Sequence, residues 1–390
     1  MMDGQDSLGA FVTDGLNLAP LGNGVLNGTV FAAKDVFAVQ GHVASAGQPL
    51  WASTHPAAEV HAPVIKSLLE SGARLRGMTV TDELMYSLKG DNIHYPPTIN
   101  PRVPDAYSGG SSSGSAVATA SEAVDFAIGT DTGGSVRIPS SYCGLFGIRP
   151  SHGAVSLEGV VPLAPSFDTV GWMARSAELL ERVGSCLLPE TVSASFQHFY
   201  QLNEAWAQID HPSVLQLLRT FIKKHLSDLK IEPTQLPLAK PAELAETFRV
   251  LQGYEAWQSH GLWIEQNHPH FASDVGGRFE AASKMKKNKA YQQAAATKQQ
   301  FTEKIRAFLG SDGLLIVPTT YGPAPKRSAE AEESDKVRAR TMRLTCIAGV
   351  SGLPQVTVPI LESAAPIGLS FISGYGTDRQ LLAFVRNVFV

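Results

Sequence analysis

The sequence is short of cysteine, of unbroken apolar runs and of excess charge. Its 390 residues include three cysteines, Cys143, Cys186 and Cys346, which are far apart and odd in number. That pattern argues against a disulfide framework and for a reducing compartment. The formal net charge is −4, so no basic field is present to attract nucleic acid. No stretch approaches the roughly 18 uninterrupted apolar residues of a membrane-spanning helix.

The first 15 residues also lack the features of a secretory signal peptide. They contain acidic residues but neither a basic segment nor a long apolar core. Together these absences predict a soluble, cytoplasmic protein with no nucleic-acid partner and no membrane partner. A small molecule is the expected partner, and a homodimer is left open.

The composition and the order of patterns predict one α/β domain. The chain is 44 % hydrophobic and 17 % charged, an ordinary globular balance with ample material for a core. Strand-like and helix-like segments alternate, with strands expected at 146–149 and 160–163, which favours a largely parallel sheet. No repeat or linker divides the chain, so residues 1–390 are expected to form a single domain.

The stretch 193–309 differs from the rest of the chain. Helical patterns dominate there, as in 199–226 and 242–263, lysine and glutamine increase, and strand signals are scarce. We therefore expect this stretch to form a helical layer or cap over the sheet.

Two loops rich in glycine and serine stand close together, at 109–115 and 129–135. Glycine lets a backbone approach a ligand closely and adopt conformations closed to other residues, and serines in such loops are candidate nucleophiles. A flexible linker is the alternative, but residues 116–128 between the loops carry an apolar periodicity that linkers lack. The pattern therefore indicates a folded site built around a small-residue helix and an apolar strand.

Other motifs in this region compete for the same chemistry. Gly110–Gly114 satisfies G-x-S-x-G, the nucleophile elbow of α/β-hydrolases, which requires a buried strand directly before it and a histidine late in the chain. Loop sequence precedes it here, and the last histidine is His270. Gly129–Gly134 has the glycine spacing of a P-loop, but Ser135 occupies the position where lysine is required. No H-E-x-x-H or paired C-x-x-C motif occurs, so neither a metal nor an organic cofactor is expected.

Lys34 closes a short apolar strand that begins at Gly28. Lysine is rarely buried, and the usual outcome for a lone lysine is that its amine reaches solvent. A buried lysine, by contrast, loses its charge readily and can act as a base. From the residues alone, both interpretations stay open.

The two loops and the segments around them resemble the signature of the amidase signature family of serine hydrolases. In that family GGSSxGS is followed downstream by GTDTGGSxRxP, and this chain has both, at Gly109–Ser115 and Gly129–Pro139. Ala33–Asp35, Ser166–Gly171 and Gly352–Pro354 extend the resemblance over most of the chain, although it is thin in the helical stretch. The resemblance implies a single α/β/α domain with a large mixed central sheet covered by helices.

The resemblance also implies roles for three side chains. In the family the counterpart of Ser135 attacks the carbonyl carbon, the counterpart of Ser111 relays the proton, and the counterpart of Lys34 is the base. The relay serine of the family follows a cis peptide, which here would join Gly110 to Ser111. Ser112 is expected to have a structural role beside the site.

The second loop is suited to stabilise a developing negative charge. Backbone N–H groups of Thr132, Gly133, Gly134 and Ser135 can converge on the oxygen that gains charge in a tetrahedral intermediate. Side chains would obstruct that approach, which accounts for two glycines directly before the serine. Asp131 and Arg137 stand on either side of the turn, and we expect a buried ion pair that braces it, with a surface salt bridge as the alternative.

The resemblance implies hydrolysis of a small carboxylic amide, a primary amide above all, to an acid and ammonia through an acyl-enzyme. The chain looks most like the compact plant-type indole-3-acetamide hydrolases, which favours an aryl or aliphatic acyl group. Met85, Tyr142 and Tyr321 are the candidates for lining the substrate pocket. The amidase subunit of an amidotransferase complex, and an esterase or aryl acylamidase on the same fold, stay as alternatives, as does a non-catalytic binding module.

Overall fold

The computed structural model describes residues 6–12, 15–190 and 195–389. Parts of two predictions therefore lie outside the described residues. These are residues 1–5 and 13–14 of the stretch examined for a signal peptide, and residues 193–194 of the expected helical stretch. None of the described helices is long and apolar enough to cross a membrane.

A mixed sheet of eleven strands forms the centre of the described chain. The strands are β1 (Asn17–Leu18), β2 (Val30–Lys34), β3 (Arg74–Thr79), β4 (Phe126–Asp131), β5 (Phe146–Arg149), β6 (Thr169–Ala174), β7 (His198–Leu202), β8 (Ile231–Thr234), β9 (Gly313–Pro318), β10 (Gln355–Ile360) and β11 (Ile367–Ser373). Across the sheet they follow the order β1-β3-β2-β4-β6-β5-β10-β11-β9-β7-β8. Four of the strand pairings are parallel and six are antiparallel. The large mixed sheet is confirmed, whereas the expectation of a largely parallel sheet is wrong.

The antiparallel pairings arise from strands and links that the alternating pattern did not reveal. Residues 361–366 alone separate β10 from β11, and so short a link joins antiparallel neighbours, because parallel neighbours need a longer crossover. β6 was not expected as a strand, and it pairs antiparallel with both β4 and β5. The strand expected at 160–163 is instead a loop with one isolated bridge, between Val160 and Phe37.

Twelve α-helices within the described residues cover the sheet. They are α1 (Pro49–Thr54), α2 (Pro63–Glu70), α3 (Ser113–Ala120), α4 (Arg137–Cys143), α5 (Ala177–Leu187), α6 (Asn203–Trp206), α7 (Pro212–His225), α8 (Pro241–Asn267), α9 (Ser273–Ser283), α10 (Lys289–Leu309), α11 (Ala331–Ser351) and α12 (Asp378–Val388). A 3₁₀ turn spans Glu83–Met85.

The stretch 193–309 is largely helical, but it also supplies one edge of the sheet. It holds α6 to α10, and α8 contains the whole of the helix expected at 242–263. The helix expected at 199–226 is wrong in its first part, because His198–Leu202 forms β7. This strand pairs with the buried β9 on one side and with β8 on the other, so strand pairing overrides the local helical pattern there.

The two glycine–serine loops meet because β2 and β4 are parallel neighbours. Both strands therefore end at the same edge of the sheet, β2 at Lys34 and β4 at Asp131. α3 begins within the first loop, and each of its residues is buried. The Ser115 hydroxyl donates to the carbonyl of Ile128 on β4 at 3.1 Å. Small side chains let this helix lie close to the strand that carries the second loop.

Candidate active site

Lys34 is fully buried at the end of β2. Its Nζ donates to the hydroxyl oxygens of Ser111 at 2.7 Å and Thr130 at 2.8 Å. Burial lowers the pKa of Lys34 to about 7, although the carboxylates of Asp82, Asp131 and Asp168 raise it. The lysine therefore does not reach solvent, and a substantial fraction of it is neutral near pH 7 and able to accept a proton.

The first loop presents Ser111 to this lysine. The peptide bond between Gly110 and Ser111 is cis, as the family resemblance implied. The Ser111 carbonyl accepts a hydrogen bond from the backbone N–H of Asp82 at 3.2 Å. Ser112 joins the loops, since its N–H donates to the Ser135 carbonyl at 3.2 Å and its hydroxyl to the Thr130 carbonyl at 3.3 Å. Backbone contacts thus bring the segment that carries Ser135 beside the pair formed by Lys34 and Ser111.

A buried charge cluster holds the second loop. The Asp131 carboxylate accepts hydrogen bonds from the backbone N–H groups of Gly134 at 2.9 Å and Val136 at 3.0 Å. The Arg137 guanidinium donates to both carboxylate oxygens, at 2.9 and 2.7 Å, and Arg149 adds a contact of 3.1 Å. Burial alone would raise the pKa of Asp131, but the two guanidinium groups hold it below its usual range. Asp131 and Arg137 thus form a buried pair, not a surface one, and Arg149 is a partner that the sequence did not reveal.

Asp168 holds the side chain at the start of the proposed oxyanion hole. The Thr132 hydroxyl donates to one Asp168 carboxylate oxygen at 2.6 Å. The other oxygen accepts from the backbone N–H groups of Leu163 and Ala164, both at 2.9 Å. Asp168 belongs to the stretch 166–171 that carried part of the family resemblance. The sequence analysis assigned no role to this residue.

Gly133 and Gly134 lie where a side chain would not fit. A Cβ on Gly133 would lie 2.8 Å from the Phe248 ring, and one on Gly134 would lie 2.7 Å from Ile138. Gly134 also has a φ of 128°, a conformation that favours glycine. The Gly133 carbonyl accepts a hydrogen bond from the Thr345 hydroxyl at 2.7 Å, which fixes this turn against α11.

Asp82, which precedes the 3₁₀ turn, is a further acidic residue beside the site. Its side chain makes no capping hydrogen bond. It is fully buried and accepts from the Gly90 N–H at 3.0 Å. Its other oxygen has no hydrogen-bond partner among the described residues. A Cβ on Gly110 would lie 2.4 Å from this carboxylate, so the two groups are packed together. Burial raises the pKa of Asp82 to about 6.

Comparison with known proteins places this geometry in a family. The amidase family model matches residues 18–201 and 220–382. The chain belongs to the amidase family. It is 39 % identical over 395 residues to Amidase 1 of Arabidopsis thaliana, covering 93 % of each chain. A crystal structure of an amidase aligns with a TM-score of 0.81 and 28 % identity, covering 93 % of this chain and 84 % of that one. The expected α/β fold, the family and the amide-hydrolysing class of enzyme are thereby confirmed.

The relatives of this amidase leave its compartment open. It is also 34 % identical over 391 residues to Translocon at the outer membrane of chloroplasts 64 of Pisum sativum, covering 92 % of this chain and 65 % of that protein. Because this relative is named for the outer membrane of chloroplasts, the cytoplasmic location stays a prediction.

Two cavities approach Ser135 in the amidase. A small one of about 20 Å³ is lined by Ser135 and Gly133 together with Met85, Phe248 and Met342, among others. A larger one of about 430 Å³ shares Ser87, Leu88 and Arg338 with the first. The larger cavity is therefore a neighbour of the small one, which Ser135 lines.

The three residues expected to line the substrate pocket lie in different places. Met85 lines the small cavity beside Ser135, and Tyr142 lines the larger one. Tyr321 lines neither of these two cavities, and its hydroxyl donates to Asp210. Met85 and Tyr142 thus line the two cavities near Ser135, and Tyr321 does not. Phe248, on α8, was missed because long helices carry many apolar residues that face the core.

Proposed function

We propose that this amidase hydrolyses a small carboxylic amide, with Ser135 as nucleophile, Ser111 as proton relay and Lys34 as base. The observation that carries the proposal is the buried contact of 2.7 Å between Lys34 Nζ and Ser111 Oγ. A serine hydroxyl is a weak nucleophile until a base removes its proton. A lysine whose pKa lies at about 7 supplies such a base at physiological pH, where an ordinary lysine would be charged.

The reaction begins with two coupled proton transfers. Lys34 takes the proton of the Ser111 hydroxyl, Ser111 takes that of Ser135, and Ser135 Oγ forms a bond to the carbonyl carbon of the amide. The carbonyl oxygen becomes negative and is stabilised by the N–H groups of Thr132 and Gly133. The Gly134 N–H, expected to join them, donates instead to the Asp131 carboxylate at 2.9 Å.

Collapse of this tetrahedral intermediate breaks the C–N bond. The proton held by Lys34 returns through Ser111 to the leaving nitrogen, which departs as ammonia or an amine. Water then attacks the ester on Ser135 by the same proton path, and the carboxylic acid leaves.

The proposed substrates are primary amides with an aryl or aliphatic acyl group. Two features support this: the similarity to Amidase 1, and a larger cavity whose wall includes Ile138, Tyr142 and Tyr107. Purified protein should release ammonia from indole-3-acetamide and benzamide. Activity on dicarboxylic monoamides with none on either neutral amide would contradict this substrate class.

A serine-directed fluorophosphonate tests the nucleophile. Mass spectrometry of the labelled protein should place the adduct on Ser135, and Ser135→Ala should abolish labelling. Ser112→Ala serves as the matched control, because Ser112 lies in the neighbouring loop and should not carry the adduct. An adduct on Ser112 would instead favour the nucleophile elbow.

The alternatives predict different outcomes of the same assays. If the chain is the amidase subunit of an amidotransferase, it should release ammonia only with its partners present. An esterase or aryl acylamidase would prefer a matched ester or anilide over the primary amide. A non-catalytic binding module would take no phosphonate label.

We also propose that residues 1–390 fold as one domain, with 193–309 as part of it. Support comes from β7 and β8, which join the same sheet as β2 and β4. Limited proteolysis should release no separately folded fragment from 193–309, and a stable fragment of that size would contradict the single domain.

A further inference from the structure

The larger cavity beside the proposed active site has a wall with an excess of positive charge. Its lining includes three cationic side chains, Lys89, Arg278 and Arg338, but only two acidic ones, Asp274 and Asp335. A cavity of this kind attracts a substrate that carries a negative charge.

Two of the three cations already have partners. The Lys89 ammonium lies 3.5 Å from the Asp91 carboxylate. The Arg278 guanidinium donates to Asp274 at 2.8 Å and to the Tyr86 carbonyl at 2.8 Å. These contacts hold Lys89 and Arg278 in the wall and offset part of their charge.

Arg338 differs from its neighbours on α11. Lys336 and Arg340, two residues before and after it, both lie 3.4 Å from the Asp210 carboxylate. Among the described residues Arg338 forms no such ion pair, and Asp335 on the preceding turn does not approach it within 4 Å. Arg338 lines both the larger and the small cavity, and its guanidinium makes no hydrogen bond to another described residue.

The position of Arg338 along α11 relates it to the proposed catalytic loop. Arg338, Met342 and Thr345 are spaced by four and three residues, so they lie on one face of the helix. Thr345 binds the Gly133 carbonyl, and Met342 lines the small cavity beside Ser135. At 1.5 Å per residue, Arg338 lies on the order of 10 Å along the helix from the loop contact.

We propose that Arg338 binds an anionic group, a carboxylate, at the far end of the acyl group of the amide substrate. This inference rests on the proposed function and names its substrate class. Ile138, Tyr142 and Val337 line the same cavity and supply an apolar surface for the middle of the acyl group. The favoured substrate is therefore an amide with an apolar or aryl body that ends in a carboxylate, which the planar guanidinium of arginine binds through two hydrogen bonds.

A matched pair of substrates tests the proposal. We expect the wild-type enzyme to hydrolyse 4-(carboxymethyl)phenylacetamide with a kcat/KM at least about tenfold above that for 4-ethylphenylacetamide, which has a similar shape and no charge. Arg338→Gln should lower kcat/KM for the carboxylate substrate by roughly 10- to 100-fold, mainly through KM, and change that for the neutral substrate less than about twofold.

Arg343→Gln is the control variant. Arg343 is on the same helix and donates to Gln208 Oε1 at 3.4 Å, so its loss should leave both substrates unaffected. Arg338→Lys keeps the charge but not the paired hydrogen bonds, and it should recover part of the preference. Thermal unfolding of each variant separates a binding effect from a loss of fold.

Three results would overturn the proposal. The first is equal kcat/KM for the two substrates in the wild type, and the second is an equal loss for both in Arg338→Gln. In either case hydrolysis of the neutral amide and phosphonate labelling of Ser135 would leave the proposed function intact. The third is no hydrolysis of any amide together with no label on Ser135, which would overturn the proposed function and the inference with it.

Discussion

The two glycine–serine loops reach the same site but are held by different forces. Hydrogen bonds from backbone N–H groups hold the first loop. Within it, Gly110 donates to the Leu88 carbonyl at 2.9 Å and Gly114 to the Val80 carbonyl at 3.0 Å. Charge holds the second loop, where the buried Asp131 carboxylate accepts hydrogen bonds from backbone N–H groups and forms ion pairs with two guanidinium groups.

This difference follows from what each loop lies beside. The first loop touches Lys34, whose amine must lose its proton to act as a base, and an ion pair there would stabilise the charged form. The second loop must present several backbone N–H groups to the substrate. The Asp131 carboxylate, on the other side of the turn, fixes the loop by accepting the N–H groups of Gly134 and Val136. Asp82 is the exception, an acidic side chain packed against the first loop.

Replacement of Lys34 breaks the first half of the comparison and should have the largest effect. Lys34→Ala should lower kcat/KM by roughly 10²- to 10⁴-fold, as for loss of a general base. In the wild type kcat/KM should rise with pH through about 7, since the base is active only when neutral and burial lowers the pKa of Lys34 to about 7.

Stopped assays across pH 5 to 9 check this limb. Lys34→Arg should not restore activity, because arginine stays charged. His152→Asn is the control, since the His152 ring contacts the Pro165 carbonyl and takes no part in the proposed proton path. The lysine assignment would be wrong if Lys34→Ala kept the limb and His152→Asn lost it.

Neutralising Asp131 breaks the second half of the comparison. Asp131→Asn leaves Arg137 and Arg149 buried without their counter-ion, which typically costs about 3–5 kcal/mol. Urea unfolding should show that loss. Glu70→Gln removes an exposed partner of Lys66, 3.7 Å away, and should cost less than about 1 kcal/mol. Equal losses in the two variants would contradict a structural role for the buried charge cluster.

Gly133→Ala tests the packing of the second loop separately from its charge, because it adds one methyl group and changes no charged residue. The new Cβ would lie 2.8 Å from the Phe248 ring, an overpacking that costs about 1–3 kcal/mol. We expect a lower kcat as the loop shifts, and a second change, Phe248→Leu, should restore part of it. Gly277→Ala is the control, since no atom lies within 4 Å of its added Cβ.

Neutralising Asp82 should have the smallest effect and a distinctive one. The Asp82 carboxylate raises the pKa of Lys34, so Asp82→Asn should lower that pKa. The limb of kcat/KM then moves to lower pH, by about one unit for a nearby opposite charge. Phosphonate labelling rates against pH report the same shift without turnover.

Glu83→Gln is the matched control for Asp82. Glu83 is the adjacent acidic residue, and its carboxylate accepts from the Ala272 N–H at 3.1 Å. It should leave the limb in place. A limb that does not move in Asp82→Asn would show that Asp82 serves only to pack against Gly110.

The sequence predicted most of the site because its parts are short and local. The loops at 109–115 and 129–135, and the lysine that closes β2, are fixed by residue types that local backbone geometry demands. Residues that act across long sequence distances were missed, namely Arg149 on Asp131 and Phe248 over Gly133. Nothing near them in sequence marks their contacts.

The same distinction explains the errors in the fold. β5 was expected because its short apolar run is flanked by glycine and proline. β6 and β7 were missed because their strand character comes from pairing with neighbours. The pairing of β6 with β4 and β5 is long-range information that a periodicity over a few residues does not contain.

The loop that carries Ser135 is held by Arg137, whose own partners are synthesised much later. Arg137 donates to the Thr345 carbonyl at 2.8 Å and to Gln355 Oε1 at 2.6 Å, partners 208 and 218 positions further along. A nascent chain that already contains Lys34, Ser111 and Ser135 still lacks both of these anchors. We therefore expect hydrolytic activity to appear during translation only after β10 has left the ribosome.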